Sequence, residues 1–358
     1  MRDEIVRKCR LFATLLIAVV AFLAAAAPVH AAQQSNFTVG TAAGTELPNC
    51  TNDPRGVAGT CWGLNISCPN VNAFRPYDAT LKITTPTGAS IGTVIFIAGG
   101  GGVFYYDTFS YGTSVIDDVV ASGFTAVQIA FNNPVAGWTT GPAADGNGPI
   151  SLACLPATAM QWVYNNVLTS GTPLCATGNS GGSFAIAYAL SQYGLSSILT
   201  LAEATSGPEL SRMDYGCAPT GRFSACAVCG SGTQDETYGP GAAEQLIDPA
   251  YTGVNNGKPR GPCLMDVEGS SKNAAQLHHD SILSDIYPPQ LSFSTQLRIV
   301  FGGLDTSGGA VPEGLDWASF ITSSATVVCV PTAGHEMANY LAGATQIESD
   351  LISYCKLP

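Results

Sequence analysis

The chain has 358 residues, enough for one large domain or a domain carrying an insertion, with a net charge of −12 at neutral pH. An acidic surface repels nucleic acid and anionic lipid, which excludes both as electrostatic partners. Only 11% of the residues are charged, so solubility rests on uncharged polar side chains and glycine.

The N-terminus has three parts. Arg2, Arg7, Lys8 and Arg10 form a basic head, Leu11 to Ala27 is unbroken and apolar, and Val29-His30-Ala31 fits a small-x-small cleavage site. Residues 1–31 are therefore expected to be a signal peptide, with Ala32 as the mature start. Removing four basic and two acidic residues moves the net charge from −12 to −14. A secreted location, extracellular or periplasmic, follows, with no stable membrane anchor after cleavage. An uncleaved anchor helix is the competing reading, because the apolar run is only slightly short of a membrane span.

Of twelve cysteines, Cys9 falls in the leader and eleven remain. In an oxidising compartment these read as disulfides, with one thiol left free or pairing between chains. Local pairings are Cys50 with Cys61 or Cys68, Cys154 with Cys175, and Cys329 with Cys355. Cys217, Cys226, Cys229 and Cys263 would pair among themselves. Zinc is the alternative for these four, since Cys226-Ala227-Val228-Cys229 has ligand spacing, but oxidation favours disulfides.

Residues 32–78 are rich in Gly, Asn, Thr and Pro and read as a stapled N-terminal extension. An α/β domain over 79–358 follows. Ala79–Thr85 and Ile91–Ile97 are β-rich runs around Pro86-Thr87-Gly88, which predicts a hairpin. Asp107–Ser122 predicts a helix with Val115, Ile116, Val119 and Val120 on one face. Next come a strand at Phe124–Phe131, a helix at Pro149–Leu168 and a short strand at Pro173–Ala176. An Ala-rich helix at Ser183–Tyr193 and a strand at Ser196–Leu201 complete this half.

The alternation breaks at about 205–292, a stretch with Gly, Pro, four cysteines and no convincing strand. It is too long for an ordinary loop and reads as an inserted, disulfide-rich cap. A strand at Leu297–Phe301, a helix at Asp316–Thr322, a strand at Ala325–Val330 and a helix at Met337–Tyr354 resume the rhythm. Strands alternating with helices imply a mainly parallel sheet covered on both faces.

Gly178-Asn179-Ser180-Gly181-Gly182 lies between an apolar strand and an Ala-rich helix. As G-x-S-x-G it fits a nucleophile elbow, a turn that holds a serine hydroxyl out for attack. The bland alternative is a helix-start turn with Ser180 as its cap. The pentapeptide also looks like the surround of a chymotrypsin-like serine, and chain order removes that reading. Among His30, His278, His279 and His335, only His30 precedes Ser180, and it lies in the leader. The order Ser, acid, His is left.

A serine nucleophile needs a base and an oriented partner for that base. His335 follows a strand and precedes a helix, so it is the expected base. His278 and His279 fall in the cap and need no role in the chemistry. Asp305, just after the strand Leu297–Phe301, is the expected acid, with Glu203 as the alternative acid one strand earlier. Ala98-Gly99-Gly100-Gly101-Gly102 follows another strand and offers close backbone N–H groups. Gly100 or Gly101 together with Gly181 are the expected oxyanion donors. A phosphate loop is excluded because no Lys-Ser/Thr follows the glycines. Tyr105, Tyr106 and Trp138 are candidates for an acyl or alcohol pocket, though core packing explains them equally well.

These pieces resemble the α/β-hydrolase superfamily over roughly residues 79–204 and 293–358. The histidine usual before the oxyanion glycines is replaced by Ala98. The resemblance implies a serine esterase: Ser180 attacks the carbonyl, His335 takes its proton, and water releases the acid from an acyl-enzyme. The implied substrate is a small-molecule or polymeric ester, and neither cofactor nor metal is expected. A serine peptidase of this fold and a non-catalytic binding protein are the alternatives.

Overall fold

A computed structural model describes residues 36–50, 58–69, 71, 78–132, 137–141, 146–220, 237–253, 260–290 and 292–357. The expected signal peptide, Cys226 and Cys229 lie outside the described residues. Nine strands form one sheet: β1 (Thr41–Leu47), β2 (Thr60–Ser67), β3 (Ala79–Thr84), β4 (Thr93–Ile97), β5 (Thr125–Phe131), β6 (Leu174–Asn179), β7 (Leu201–Thr205), β8 (Gln296–Gly302) and β9 (Ala325–Val330). Their order is β1-β2-β3-β5-β4-β6-β7-β8-β9. The first four in that order pair antiparallel, and every pairing from β5 to β9 is parallel.

The expected hairpin of β3 with β4 does not form. β3 pairs with β5, and β4 lies between β5 and β6. The reason is burial. All five residues of β4 are buried, with Ile95 and Ile97 in one core and Val94 and Phe96 in the other. A strand apolar on both faces belongs in the middle of a parallel sheet. The segment 32–78 contributes β1 and β2, which extend the sheet rather than sitting apart from it.

Five main helices cover the sheet: α1 (Gly112–Ala121), α2 (Cys154–Asn166), α3 (Gly181–Ser191), α4 (Ala310–Phe320) and α5 (Leu341–Tyr354). α2, α3 and α4 pack in the core on one face, and α1 and α5 in the core on the other. This is the three-layer solution for a mainly parallel sheet. Helix boundaries move from the expected ones for local reasons. α1 begins at Gly112 because Asp107 is drawn into a buried ion pair with Lys82. A separate short helix, Gly148–Leu152, precedes α2. Pro156 has no N–H to donate to Leu152, so the two cannot run as one.

The stretch between β7 and β8 is built of short helices, including Met213–Gly216, Pro249–Thr252, Pro262–Val267 and Ala274–His279. It holds no strand among its described residues. Its apolar side chains, such as Leu210, Met213, Ile247 and Leu277, join the α2–α3–α4 core. No helix among the described residues is long and apolar enough to cross a membrane.

Disulfides join Cys50 to Cys61, Cys68 to Cys154, Cys175 to Cys355 and Cys217 to Cys263. Cys329 is also disulfide-bonded. The expected pairs Cys154–Cys175 and Cys329–Cys355 are replaced by longer-range ones. Parallel strands bring distant segments together, so nearness in sequence is a poor guide here. The bridge between Cys217 and Cys263 also removes two of the four thiols of the zinc alternative.

The Cys175–Cys355 bridge ties β6 to the end of α5 across a sequence separation of 180 residues. Replacing both cysteines by alanine is expected to cost about 2–4 kcal/mol of stability. A denaturant midpoint equal to that of the wild type would contradict this.

Candidate active site

The parallel register places five strand ends side by side. Ile97 pairs with Gly178, Asn179 with Thr205, Thr205 with Val300, and Gly302 with Val330. The loops after β4, β6, β7, β8 and β9 therefore leave one edge of the sheet together, the carboxyl edge where ligands bind in open α/β sheets. Gly100, Ser180, Glu209, Asp305 and His335 lie in these loops.

Ser180 links β6 directly to α3 with φ 50° and ψ −114°, in the region that non-glycine residues rarely adopt. The flanking glycines make this turn feasible. A Cβ on Gly178 would strike the backbone of Gly182, and one on Gly181 would strike the carbonyl of Gly100. The Ser180 N–H donates to Thr205 O at 2.9 Å, which fastens the turn to β7. The Ser180 side chain makes no cap hydrogen bond, so the turn is not that of an ordinary helix cap.

His335 and Asp305 are brought together by backbone bonds between their loops. Gly303 N–H donates to Val330 O and Leu304 N–H to Ala333 O, at 2.9 and 2.8 Å. His335 Nδ1 lies 3.1 and 3.0 Å from the two carboxylate oxygens of Asp305. Asp305 Oδ1 also accepts from the Ser307 N–H at 2.9 Å. With Nδ1 committed to Asp305, Nε2 is the nitrogen left for chemistry. The His335 loop is pinned to the elbow as well, because Asn179 Oδ1 accepts from Met337 N–H at 3.0 Å and Thr205 Oγ1 at 3.1 Å.

The sequence reasoning missed Glu209. Its Oε1 accepts the Ser180 hydroxyl at 3.1 Å and lies 3.5 Å from His335 Nε2. Among the described residues, the Ser180 hydroxyl is bonded to Glu209 and not to His335. A signal was present: Ser206-Gly207-Pro208-Glu209 leaves β7 at the same sheet edge as the elbow. Burial pushes the Glu209 carboxyl up to about 7, even though the His335 charge opposes this. Burial pulls His335 down, but the Asp305 hydrogen bond and the charges of Glu209, Asp305 and Glu336 outweigh it and raise the imidazole to about 9.

Glu203, the alternative acid, is buried in the middle of β7, where Thr177 Oγ1 donates to it at 2.8 Å. Burial and then the nearby Asp350 hold its carboxyl well above the usual range. Asp305, not Glu203, is the carboxylate on His335 Nδ1. The N–H groups of Gly100, Gly101 and Gly181 have no hydrogen-bond partner among the described residues. Gly100 lines the cavity beside Ser180, whereas the Gly101 carbonyl accepts from Trp138 N–H at 3.0 Å.

A cavity of about 370 Å³ opens over Ser180, His335 and Glu209. Its apolar wall includes Phe104, Phe109, Phe184, Leu210, Leu246 and Ile247. Tyr105, Tyr106 and Trp138, the expected pocket residues, are fully buried and are not among its described lining residues. Tyr106 packs on Phe96, and Trp138 on Phe184 and Tyr188, so these rings belong to the cores. His278 lies 3.1 Å from Leu283 O within the cap, and His279 lies 3.2 Å from Asn147 Oδ1, which ties the cap to the start of the Gly148–Leu152 helix.

Asp305→Asn is expected to slow ester turnover on the order of 10⁴-fold, because the imidazole loses its orienting acceptor. Glu203→Gln should turn over ester at close to the wild-type rate, since Glu203 bonds to Thr177 inside the sheet and not to His335. The reverse pattern would move the acid to Glu203.

No known family model matches the sequence, and no curated protein is similar to it. Solved structures are similar at low identity. Est1E from Butyrivibrio proteoclasticus is 12% identical, with 83% of this chain and 99% of that one covered and a TM-score of 0.46. A bacterial heroin esterase is 12% identical, with 97% and 89% covered and a TM-score of 0.47. Brefeldin A esterase, described as a bacterial homologue of human hormone-sensitive lipase, is 13% identical, with 99% and 85% covered and a TM-score of 0.46. The strand order and the helices on both faces are those of the α/β-hydrolase fold.

Proposed function

We propose that this protein is a secreted serine hydrolase of carboxylic esters, working through an acyl-enzyme on Ser180. The observation that carries the reading is the strained elbow at Ser180 beside a His335 imidazole hydrogen-bonded to Asp305. A hydroxyl held in that turn attacks a bound carbonyl. The N–H groups of Gly100 and Gly181, without a partner among the described residues, support a role as oxyanion donors. His335, oriented by Asp305, carries protons to the leaving alcohol and from the hydrolytic water.

The apolar cavity wall supports an uncharged acyl or alcohol group, small or part of a polymer. No lysine or arginine is among the described lining residues, and the one imidazole there, His335, already faces the carboxylates of Asp305 and Glu209. The disulfides support an oxidising compartment and hence secretion.

Ser180→Ala should reduce turnover of p-nitrophenyl esters by at least about 10³-fold while the protein stays folded. An acyl-chain series on the wild type should peak at a length that fills the cavity. Full activity in Ser180→Ala would end this reading. Efficient cleavage of peptides with little ester turnover would replace it with a peptidase.

A further inference from the structure

The site holds one carboxyl more than a nucleophile, base and acid require. We propose that Glu209 is a further catalytic group: its carboxylate takes the proton of Ser180, while His335 acts first as the acid that protonates the leaving alcohol. This rests on the reading of Ser180 as nucleophile.

The geometry points there directly. Glu209 Oε1 accepts the Ser180 hydroxyl at 3.1 Å, so the proton that must leave Ser180 already faces a carboxylate. The same oxygen is 3.5 Å from His335 Nε2. The other oxygen, Oε2, is buried and has no partner among the described residues. A buried carboxylate of this kind is costly unless a cation stands against it, and His335 is that cation.

The segment is fixed in place. The Tyr238 hydroxyl contacts both the Glu209 carbonyl and Glu313 Oε1. Ser211 Oγ donates to the Glu313 carbonyl at 2.7 Å, and the Arg212 N–H to Glu313 Oε2 at 3.1 Å. Glu209 therefore holds its place through a network anchored on α4, as a proton acceptor must.

The charged and titratable groups around Glu209 decide its state. His335 opposes it from the loop after β9, with Asp305 behind the imidazole and Glu336 next in the chain. Tyr238 and Glu313 face its backbone side. Burial raises the Glu209 carboxyl to about 7, and Asp305 with Glu209 holds His335 protonated up to about 9. Between these values the pair is a carboxylate and an imidazolium. An imidazolium cannot accept the Ser180 proton; the carboxylate can.

The cycle balances. In acylation the Ser180 proton passes to Glu209, the Oγ–C bond forms, and the carbonyl electron pair moves onto oxygen. Collapse breaks the bond to the alcohol oxygen, which takes the Nε2 proton of His335. Glu209 is now a neutral acid and His335 a neutral imidazole. In deacylation His335 takes a proton from water as the hydroxyl adds to the acyl carbon. Collapse breaks the Oγ–C bond, and Ser180 recovers its proton from Glu209. The carboxylate–imidazolium pair is restored, and water is the only co-reactant.

The test is the pH profile of kcat/KM for an ester of an unactivated alkyl alcohol, whose leaving oxygen must take a proton. Wild type is expected to give a bell, rising near 7 as the pair acquires its carboxylate and falling near 9 as it loses the imidazolium proton. Glu209→Gln should lower kcat by about 10²-fold or more with little change in KM, and its alkaline fall should vanish because His335 is then the sole base. A wild-type profile that rises once and stays level would overturn the proposal, as would Glu209→Gln keeping the wild-type kcat and bell. If that variant fails to fold, judged by its melting curve, the wild-type profile decides alone. Full activity in Ser180→Ala would instead defeat the esterase reading, a separate outcome.

Discussion

The backbone turn at Ser180 is the constraint on which the site depends. A residue with a side chain is held at positive φ between β6 and α3. That turn closes only if Gly178 meets Gly182 and Gly181 meets Gly100 at distances no Cβ allows. These approaches require the loop after β4 to lie against the start of α3. The loop can lie there because β4 and β6 are paired in parallel register. Ser180 and the candidate oxyanion donors are thus set by one packing contact, and a single methyl group at Gly181 would disturb both. The strain at Ser180, of order 1–3 kcal/mol, is sustained by the buried sheet on either side.

Charge in the interior follows a second constraint. The protein has few charged residues yet buries several of them. Lys82 pairs with Asp107 under the Tyr105 ring, and Arg298 pairs with Asp350 at 2.7 Å. In both, a cation and an anion enclose each other within the packed protein, which is the usual way to bury charge. Glu209 differs, because its cation is a titratable imidazole that opens onto a cavity. The first two pairs hold structure. The third can change its protonation at pH values near neutrality, which is the property chemistry needs.

How far the sequence could be read depended on how local each feature is. That Ser180, Asp305 and His335 meet at one sheet edge could be anticipated because each follows a strand whose apolar run is visible, and because chain order leaves few other arrangements. The alternation of β and α segments gave the sheet its parallel character. The pairing of β3 with β5, however, is decided by which strand is apolar on both faces, a contest among distant segments. Disulfides failed for the same reason: Cys175 meets Cys355 because α5 packs back on the sheet. Tyr105, Tyr106 and Trp138 were ambiguous between pocket and core, since an aromatic residue suits either. The neighbouring Phe104 turns to the cavity instead. Glu209 was hidden by the break in periodicity at the cap boundary, where the residues look like any Gly-Pro loop.

That boundary is where the fold and its function meet. Glu209 and Leu210 are the first residues of the cap to face Ser180, and both line the cavity. From there the chain is tied to the Ile282–Leu283 segment by backbone bonds and to α4 through Glu313. Cys217, a few residues on, is bridged to Cys263. The far side of the cavity, through Leu246 and Ile247, comes from the same insertion. A change in cap packing therefore reaches the substrate wall and the Glu209 carboxyl together. A cap that loosened would lengthen the Glu209–Ser180 contact as it widened the pocket, so under the role proposed for Glu209 rate and selectivity would vary together.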